Sequence, residues 1–600
     1  MFPVPLKSSR ILLHIRRIVR NDQLILGGLA LVVGLTVGFG VVLFRESIDF
    51  VQSLYYGSSG EHLASVARDL PWYWVVSAPV LGGLVVGVFY KLLMPGSRPL
   101  GIPEVIEAAA FKGGRMPVRP GLMAVVGSAL SLGAGASVGR EGPAVTLGAA
   151  VSAWLAERLH FGRSLSRVLL GCGAAAAVAA SFNAPIAGVL FAHEVVVGHY
   201  AMRALAPVVV ASVTGTMVSR GWFGDFPAFM IPSIHSVNVW EFPAFAGLGI
   251  LCGLTALVFM HGIVWGETAA ERTRLPRWAR PAVAGLGLGV LALWYPEVLG
   301  VGYEVTDNAL SGALPFYFLA ACAAAKIVAT SMALGFGFGG GVFSPSLTVG
   351  ALVGGAFGIV ATSAFPELSS GSGAYAVVGM GAVSAAVLGA PISTVLIIFE
   401  LTSDYSLTIA VMVAVVISGV VTAQIGGITS WFHWCLERRG LRIGGHEVRL
   451  LKTLRVRDII NPDCLVVHPG TRLKTVREYL QRTAYAELFV VEKKDGRFVG
   501  TITLADLSDA AFDPALDDLV IAADVCRRDA PVLESDDSLE RALKTMLESK
   551  EEHVAVVAHE ETRRFVGCVH ESEALLAFNR ALIEAQAEEQ GDHKGSVTPF

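Results

Sequence analysis

The sequence predicts a mostly α-helical polytopic membrane protein of two inverted repeats with discontinuous helices, followed by a cytoplasmic α/β pair of smaller repeats. Three observations predict it. First, residues 133–150 (GAGASVGREGPAVTLGAA) and 335–352 (GFGFGGGVFSPSLTVGAL) are two writings of one segment. They share Gly133/Gly335, Gly135/Gly337, Gly139/Gly341, Pro143/Pro345, Thr146/Thr348, Gly148/Gly350 and Ala149/Ala351 at one constant offset. APIAGVLFAHE (184–194) and APISTVLIIFE (390–400) repeat in the same way. Second, hydrophobic residues make up 53% of the chain and charged residues only 16%, which is the balance of a chain that meets lipid. Third, the composition turns soluble at about residue 450, and that region is itself repeated. A long apolar chain of two similar halves is the mark of a membrane transport protein.

Residues 1–22 carry Lys7, Arg10, Arg16, Arg17 and Arg20 without a small-residue cleavage site, so they read as a basic cytoplasmic N-terminus. Residues 23–440 hold the membrane region, with repeats at about 23–220 and 240–428. Runs such as 24–44, 204–219, 243–266, 374–399 and 408–428 are apolar and near spanning length. Others, at 101–110, 143–157 and 345–363, are short or broken by Gly and Pro, as in helices that stop partway through a bilayer. Ordinary spanning helices with packing glycines explain Gly in general. They do not explain the same Gly-x-x-x-Pro spacing in both halves. Arg438, Arg439, Arg442, Arg449, Lys452, Arg455 and Arg457 follow the last apolar run and place the C-terminal region on the same side as the N-terminus. Segments 441–510 and 511–582 read as a linker with a first small domain and then a second. The tail 583–600 is polar.

The chemistry sits at helix starts. In GREGP (139–143) the amides near Arg140 and Gly142 face whatever precedes the helix, and Glu141 stands on its positive end. An intramembrane carboxylate reads first as functional; the competing reading is a simple cap. GVFSP (341–345) is the matched copy, with Phe343 in place of Glu141. A third start, LGIPEV (100–105), has Pro103 in its first turn. The seven cysteines are scattered, without metal-ligand spacing, and the net charge of −4 points to no nucleic-acid partner. There is no HExxH and no matched nucleophile and base, so an intramembrane hydrolase is a poor reading. A nutrient-sensing receptor would not require Glu141 at a helix start.

In the C-terminal region, RFVGTITLAD (497–506) and RFVGCVHESE (564–573) close two strand–helix–strand units. The region resembles a pair of CBS domains. That resemblance implies contacts to an adenine nucleotide from Thr503 and Asp506, with His570 and Glu573 in the corresponding places of the second copy. Dimer stabilisation alone is the equally weighted alternative. No other cofactor and no metal is expected.

GREGP, GVFSP, GIPE, FNAPIAGVLF and FELTSDY together resemble the CLC family of chloride channels and chloride/proton antiporters, over roughly residues 25–440. The resemblance implies a homodimer in the bilayer with one anion path per subunit, not an enzyme, and, as the most natural setting, a bacterial inner membrane. It implies Glu141 as the gate. It implies anion contacts from Arg140, Gly142, Val342 and Phe343, from Leu100, Gly101 and Ile102, and from the position of Phe432. Two side-chain hydroxyls expected in the family are missing, because Leu100 and Phe432 occupy their places. Each lost hydrogen bond is worth about 1 kcal/mol, so weak and poorly selective anion binding is expected. In the antiporters a second glutamate carries protons from inside. Here FNAPIAGVLFAHEVV puts Glu194 before it and Val195 in its place, with His193 the nearby titratable group. The expectation is therefore a voltage- or pH-gated passive chloride channel controlled by Glu141. The alternative is a chloride/proton antiporter with an unusual internal relay.

Overall fold

The computed structural model describes residues 22–590 apart from 59, 61, 95–98, 160, 162, 199–201, 226–228, 230–237, 442–453, 463, 483–486, 508–515 and 550. The basic N-terminus and the polar tail beyond residue 590 lie outside the described residues. The chain forms two units, Met1–Arg442 and Ile443–Phe600.

In the first unit the first repeat runs through α1 (Asp22–Tyr56), α2 (Leu63–Asp69), α3 (Trp72–Leu93), α4 (Ile102–Ala110), α5 (Val118–Gly133), α6 (Glu141–Arg158), α7 (Arg163–Phe182), α8 (Pro185–Phe191) and α9 (Met202–Phe223). A π-helical turn, Ala192–Val197, continues α8. The second repeat runs through α10 (Phe242–Arg272), α11 (Arg280–Ala292), α12 (Tyr303–Leu310), α13 (Phe316–Gly335), α14 (Phe343–Ala364), α15 (Ser372–Leu388), α16 (Pro391–Thr402), α17 (Tyr405–Gly426) and α18 (Trp431–Arg438). Among the described residues, eight helical segments are long and apolar enough to cross a bilayer, and several others are shorter. On α1, Leu31, Leu35, Phe39, Leu43, Phe50 and Leu54 are exposed, while Ala30, Val33, Val37, Val41, Phe44 and Ile48 are buried on the other face. An apolar stripe of that length left uncovered by protein is a lipid-facing surface.

The halves pack alike. α6 lies on α7 as α14 lies on α15, and α9 meets α7 as α17 meets α15. Matched glycines make close approaches within each pair. A Cβ on Gly148 would lie 2.2 Å from the Gly173 carbonyl oxygen, and one on Gly350 would lie 2.3 Å from that of Gly379. The packing-glycine reading therefore holds beside the helix-start reading. Gly139 and Gly341 pair antiparallel, with N–H···O distances of 2.7 and 2.8 Å. A residue paired antiparallel with its own repeat mate requires a two-fold axis between them, so the repeats are inverted. That axis brings the starts of α6 and α14 together.

The second unit repeats its own motif. Strands β1 (Val466–Val467), β2 (Glu487–Val491) and β3 (Phe498–Thr503) form one sheet, with β1 parallel and β3 antiparallel to β2. Strands β4 (Val532–Glu534), β5 (His553–Val557) and β6 (Phe565–His570) form the other, with the same order and senses. Between the strands run α19 (Leu473–Arg482), α20 (Leu504–Leu507), α21 (Ala522–Val525) and α22 (Leu539–Ser549), and α23 (Glu571–Gln590) ends the unit. The spacing of Leu473, Val476 and Leu480, and of Leu539, Leu543 and Met546, predicts amphipathic helices; all are buried except Leu543, which is half-buried against the same core. Phe498 and Phe565 stack with ring centres 6.0 Å apart.

Gly148→Ala puts a methyl group into backbone and should destabilise the membrane unit by about 1–3 kcal/mol. Gly419→Ala, whose Cβ would meet nothing within 4 Å, should be near neutral. Thermal unfolding of both variants in detergent checks the contrast.

Candidate functional site

The site is built where two helices begin in the middle of the first unit. α6 starts at Glu141 and α14 at Phe343, each directly after its half of the paired glycine loops. Pro143 and Pro345 each stand third in their helix, where the missing N–H would have had no intrahelical partner. The first amides of both helices are left without such partners, and their positive ends converge. The approach is tight: a Cβ on Gly142 would lie 3.1 Å from the Gly341 Cα.

Glu141 is fully buried at 0% exposure. Its Oε1 accepts a hydrogen bond from the Tyr303 hydroxyl at 2.9 Å, and its Oε2 accepts from the Ser344 hydroxyl. Arg140 Nε stands 3.8 Å from Oε1, and the guanidinium lies 4.6 Å from the centre of the Tyr303 ring. The carboxylate is thus clasped by groups from both repeats, next to two helix starts.

A vestibule of about 520 Å³ reaches this point from one end of the unit, lined by Gly142, Gly341 and Val342 at its depth and by Leu100, Gly101, Ile102 and Phe432 on its walls. A small cavity of about 50 Å³ approaches from the other end, reaching Arg140 and Tyr303. The two cavities lie at opposite ends of α3. Val75 near its start packs in one cluster with Leu63 and Leu299 of the small cavity, whereas Tyr90 and Met94 beyond line the vestibule. Glu141 lines neither.

The structure therefore gathers Gly142, Val342, Leu100, Gly101, Ile102 and Phe432 around one cavity, and places Arg140 on the other side of Glu141. The contact expected of Phe343 is through its backbone amide, and its side chain packs away against Phe182 and Phe191, with ring centres 4.9 and 6.1 Å away. The amide of Gly101 already donates to Glu104 Oε2 at 2.7 Å, and Glu104 Oε1 pairs with Arg439 at 2.5 Å. A carboxylate from its own first turn thus caps the start of α4.

Glu194 lies on the π-helical turn, where its carboxylate accepts from the amides of Ile392 at 3.1 Å and Ser393 at 2.8 Å and from the Ser393 hydroxyl. Glu400 does the same for Ile186 and Ala187, at 2.9 and 2.8 Å. Each glutamate caps the short helix of the other repeat. His193 and Val195 are buried beside it.

In the second unit Asp506 Oδ2 accepts from the Thr503 amide and hydroxyl at 2.8 and 2.7 Å, closing the first turn of α20. His570 pairs across the ladder with His553, and its Nδ1 accepts from the Ser572 amide at 2.9 Å. Burial, and next the adjacent His553, hold the His570 imidazole below its ordinary range. Glu573 follows in the first turn of α23.

Tyr303 and Ser344 escape a reading of the sequence. The repeat offset is the available signal: carried onto LGIP (100–103), it lands on Gly302–Val305, where α12 opens. Ser344, one residue before the matched Pro345, is the repeat mate of Gly142.

Inverted apolar repeats, broken helices and a buried carboxylate at two facing helix starts define a multi-pass membrane protein that handles anions. Residues 82–423 match the family described as voltage gated chloride channel, and residues 456–513 and 522–580 match the CBS domain. The chain belongs to the CLC family. It is 34% identical to a putative chloride channel protein ClcB-like of Ralstonia nicotianae, over 68% of this chain and 95% of that one. It is 30% identical to the H(+)/Cl(-) exchange transporter ClcA of Citrobacter koseri, over 69% of this chain and 89% of that one. Among solved structures, a slow cyanobacterial Cl-/H+ antiporter aligns with a TM-score of 0.62 at 25% identity, covering 69% of this chain and 97% of its own. A eukaryotic CLC transporter aligns in fold over 91% of this chain and 97% of its own, with a TM-score of 0.60 at 19% identity.

Tyr303→Phe and Ser344→Ala each remove one hydrogen bond to the buried Glu141 carboxylate. At about 1 kcal/mol each, chloride efflux from liposomes should rise about fivefold per variant. Leu100→Ser restores a hydroxyl to the vestibule wall, and the preference for chloride over nitrate should sharpen in the same assay.

Proposed function

We propose that the protein exchanges chloride for protons, with Glu141 alternately blocking the anion path and carrying the proton. One observation carries this reading. The vestibule reaches the two helix starts and the small cavity reaches Arg140 and Tyr303, but Glu141 lines neither and is held between them by Tyr303 and Ser344. An exchanger needs a carboxylate that gives way to the anion and is protonated when it leaves, and a buried Glu141 held by two hydroxyls between two cavities suits that role. The Citrobacter koseri relative is an H(+)/Cl(-) exchange transporter and the cyanobacterial neighbour a Cl-/H+ antiporter, and both support the same choice.

The expectation of a passive channel rested on Val195, and it yields to this reading. Valine removes a carboxylate relay, but a vestibule of about 520 Å³ has room for a chain of water molecules leading to Gly142. Protons then need no carboxylate at position 195. The basic residues at both ends of the membrane region favour cytoplasmic termini in a bacterial inner membrane, and the protein works as a homodimer with one path per subunit. A nucleotide, where it binds, contacts Thr503 and Asp506 in the first copy of the CBS pair.

The test is a chloride gradient across liposomes that hold the purified protein. The expected result is proton movement driven against its own gradient, lost in Glu141→Gln while chloride flux persists. Chloride flux without any proton movement in the parent protein sinks the exchange reading and restores the channel.

A further inference from the structure

The second CBS copy departs from the first at three matched positions, and at the two that face each other across the ladder the departure brings in a histidine. Glu487 of β2 corresponds to His553 of β5, Thr503 to His570, and Asp506 to Glu573. In the first copy Glu487 faces Thr503 across the ladder; in the second, His553 faces His570. Directly opposed residues of an antiparallel pair project on one face of the sheet, close enough for their side chains to meet. The two imidazole centres are 4.2 Å apart, with ring planes crossing at 83°.

Glu552 completes the group. It sits in the bend before β5, and its carbonyl accepts from the Glu571 amide at 2.9 Å, which ties that bend to the end of β6. One ligand atom from each of Glu552, His553 and His570 lies within 4.8 Å of the other two. His553 is buried, His570 half-buried and Glu552 exposed, so the cluster opens to solvent on one side only.

A second observation lies behind the first. Glu487 is 7% exposed, its Oε2 stands 3.4 Å from His553 Nδ1, and its buried Oε1 has no hydrogen-bond partner. A carboxylate on the far nitrogen of a histidine is the arrangement that orients an imidazole toward a cation and raises its basicity. The pseudo-two-fold of the CBS pair supplies it here, because Glu487 approaches from the position that His553 occupies in its own copy.

We propose that the second CBS copy holds a divalent transition-metal site, with Glu552, His553 and His570 as ligands and Glu487 as the positioning carboxylate. Two imidazoles and one carboxylate favour zinc-like ions over magnesium or calcium, which take mostly oxygen. Ser572 holds His570 through Nδ1, and loading exchanges that hydrogen bond for a metal bond. The ion would bind where the first copy offers Thr503, so the two copies take different ligands. No short sequence motif reveals the site, because its ligands meet across a β-ladder.

The test uses the purified full-length protein, stripped with a chelator and titrated with Zn²⁺, and separately with Co²⁺ for its absorption spectrum. The expected result is one tight Zn²⁺ per chain, an intense visible Co²⁺ band of low coordination number, and a raised unfolding temperature for the second unit. Glu552→Gln and His570→Gln change accessible side chains and should each weaken binding at least tenfold and remove the band. Glu487→Gln should weaken binding about tenfold to a hundredfold. His559→Gln, an exposed histidine outside the cluster, should leave all three readouts as in the parent. Equal Zn²⁺ affinity in the parent, Glu552→Gln and His570→Gln overturns the site, as does Co²⁺ binding without the band.

Discussion

Gly139 and Gly341 each donate an amide to the other's carbonyl, and the site depends on that pair. A Cβ on either glycine would lie 3.1 Å from its nearest neighbour, so side chains there would crowd the meeting of the two loops. The pairing sets the two-fold axis, the axis points α6 and α14 at each other, and the facing starts make a place where negative charge is stable. A buried carboxylate would otherwise be costly in such an interior. Glu141 is tolerated there because four kinds of partner converge on it: two helix ends, two hydroxyls, a guanidinium at longer range, and the neighbouring loop.

Much of this is legible in the chain. The repeated GREGP and GVFSP segments mark both helix starts by their spacing alone, and the shared glutamates of FAHE and IIFE announce a paired role. The structure gives that role a shape in the reciprocal caps of Glu194 and Glu400. The partners of Glu141 are not legible, since Tyr303 comes from a turn whose sequence barely resembles its repeat mate. The capping of Gly101 by Glu104 is also hidden, because local spacing does not tell whether a nearby carboxylate turns back onto its own helix. Val195 stands where the sequence puts it, but its weight in the argument depends on its surroundings. A missing relay group matters only where no water can take its place, and cavity size is a tertiary property.

The second unit reaches symmetry by the same route. Arg497 and Arg564 are repeat mates and form an antiparallel bridge, as Gly139 and Gly341 do. Around that bridge the cores are alike, with Phe498 stacked on Phe565, while the strand ends at Glu487/His553 and Thr503/His570 have diverged. Duplication gives two equivalent frames. Packing keeps their interiors similar, and the rims are free to take up different chemistry.

The caps made by Glu194 and Glu400 have a mechanical consequence. α8 is held at its start by a carboxylate from the end of α16, and α16 is held at its start by a carboxylate from the turn that ends α8. The connections close into a ring in which neither short helix can withdraw without freeing the other. Tilting one half of the membrane unit against its mate would break both ends at once and leave two carboxylates without their amide partners. Such a frame resists wholesale rocking. Access to the anion path must then change through pieces outside the ring: the Glu141 side chain, its two hydroxyl partners, and the walls of the vestibule.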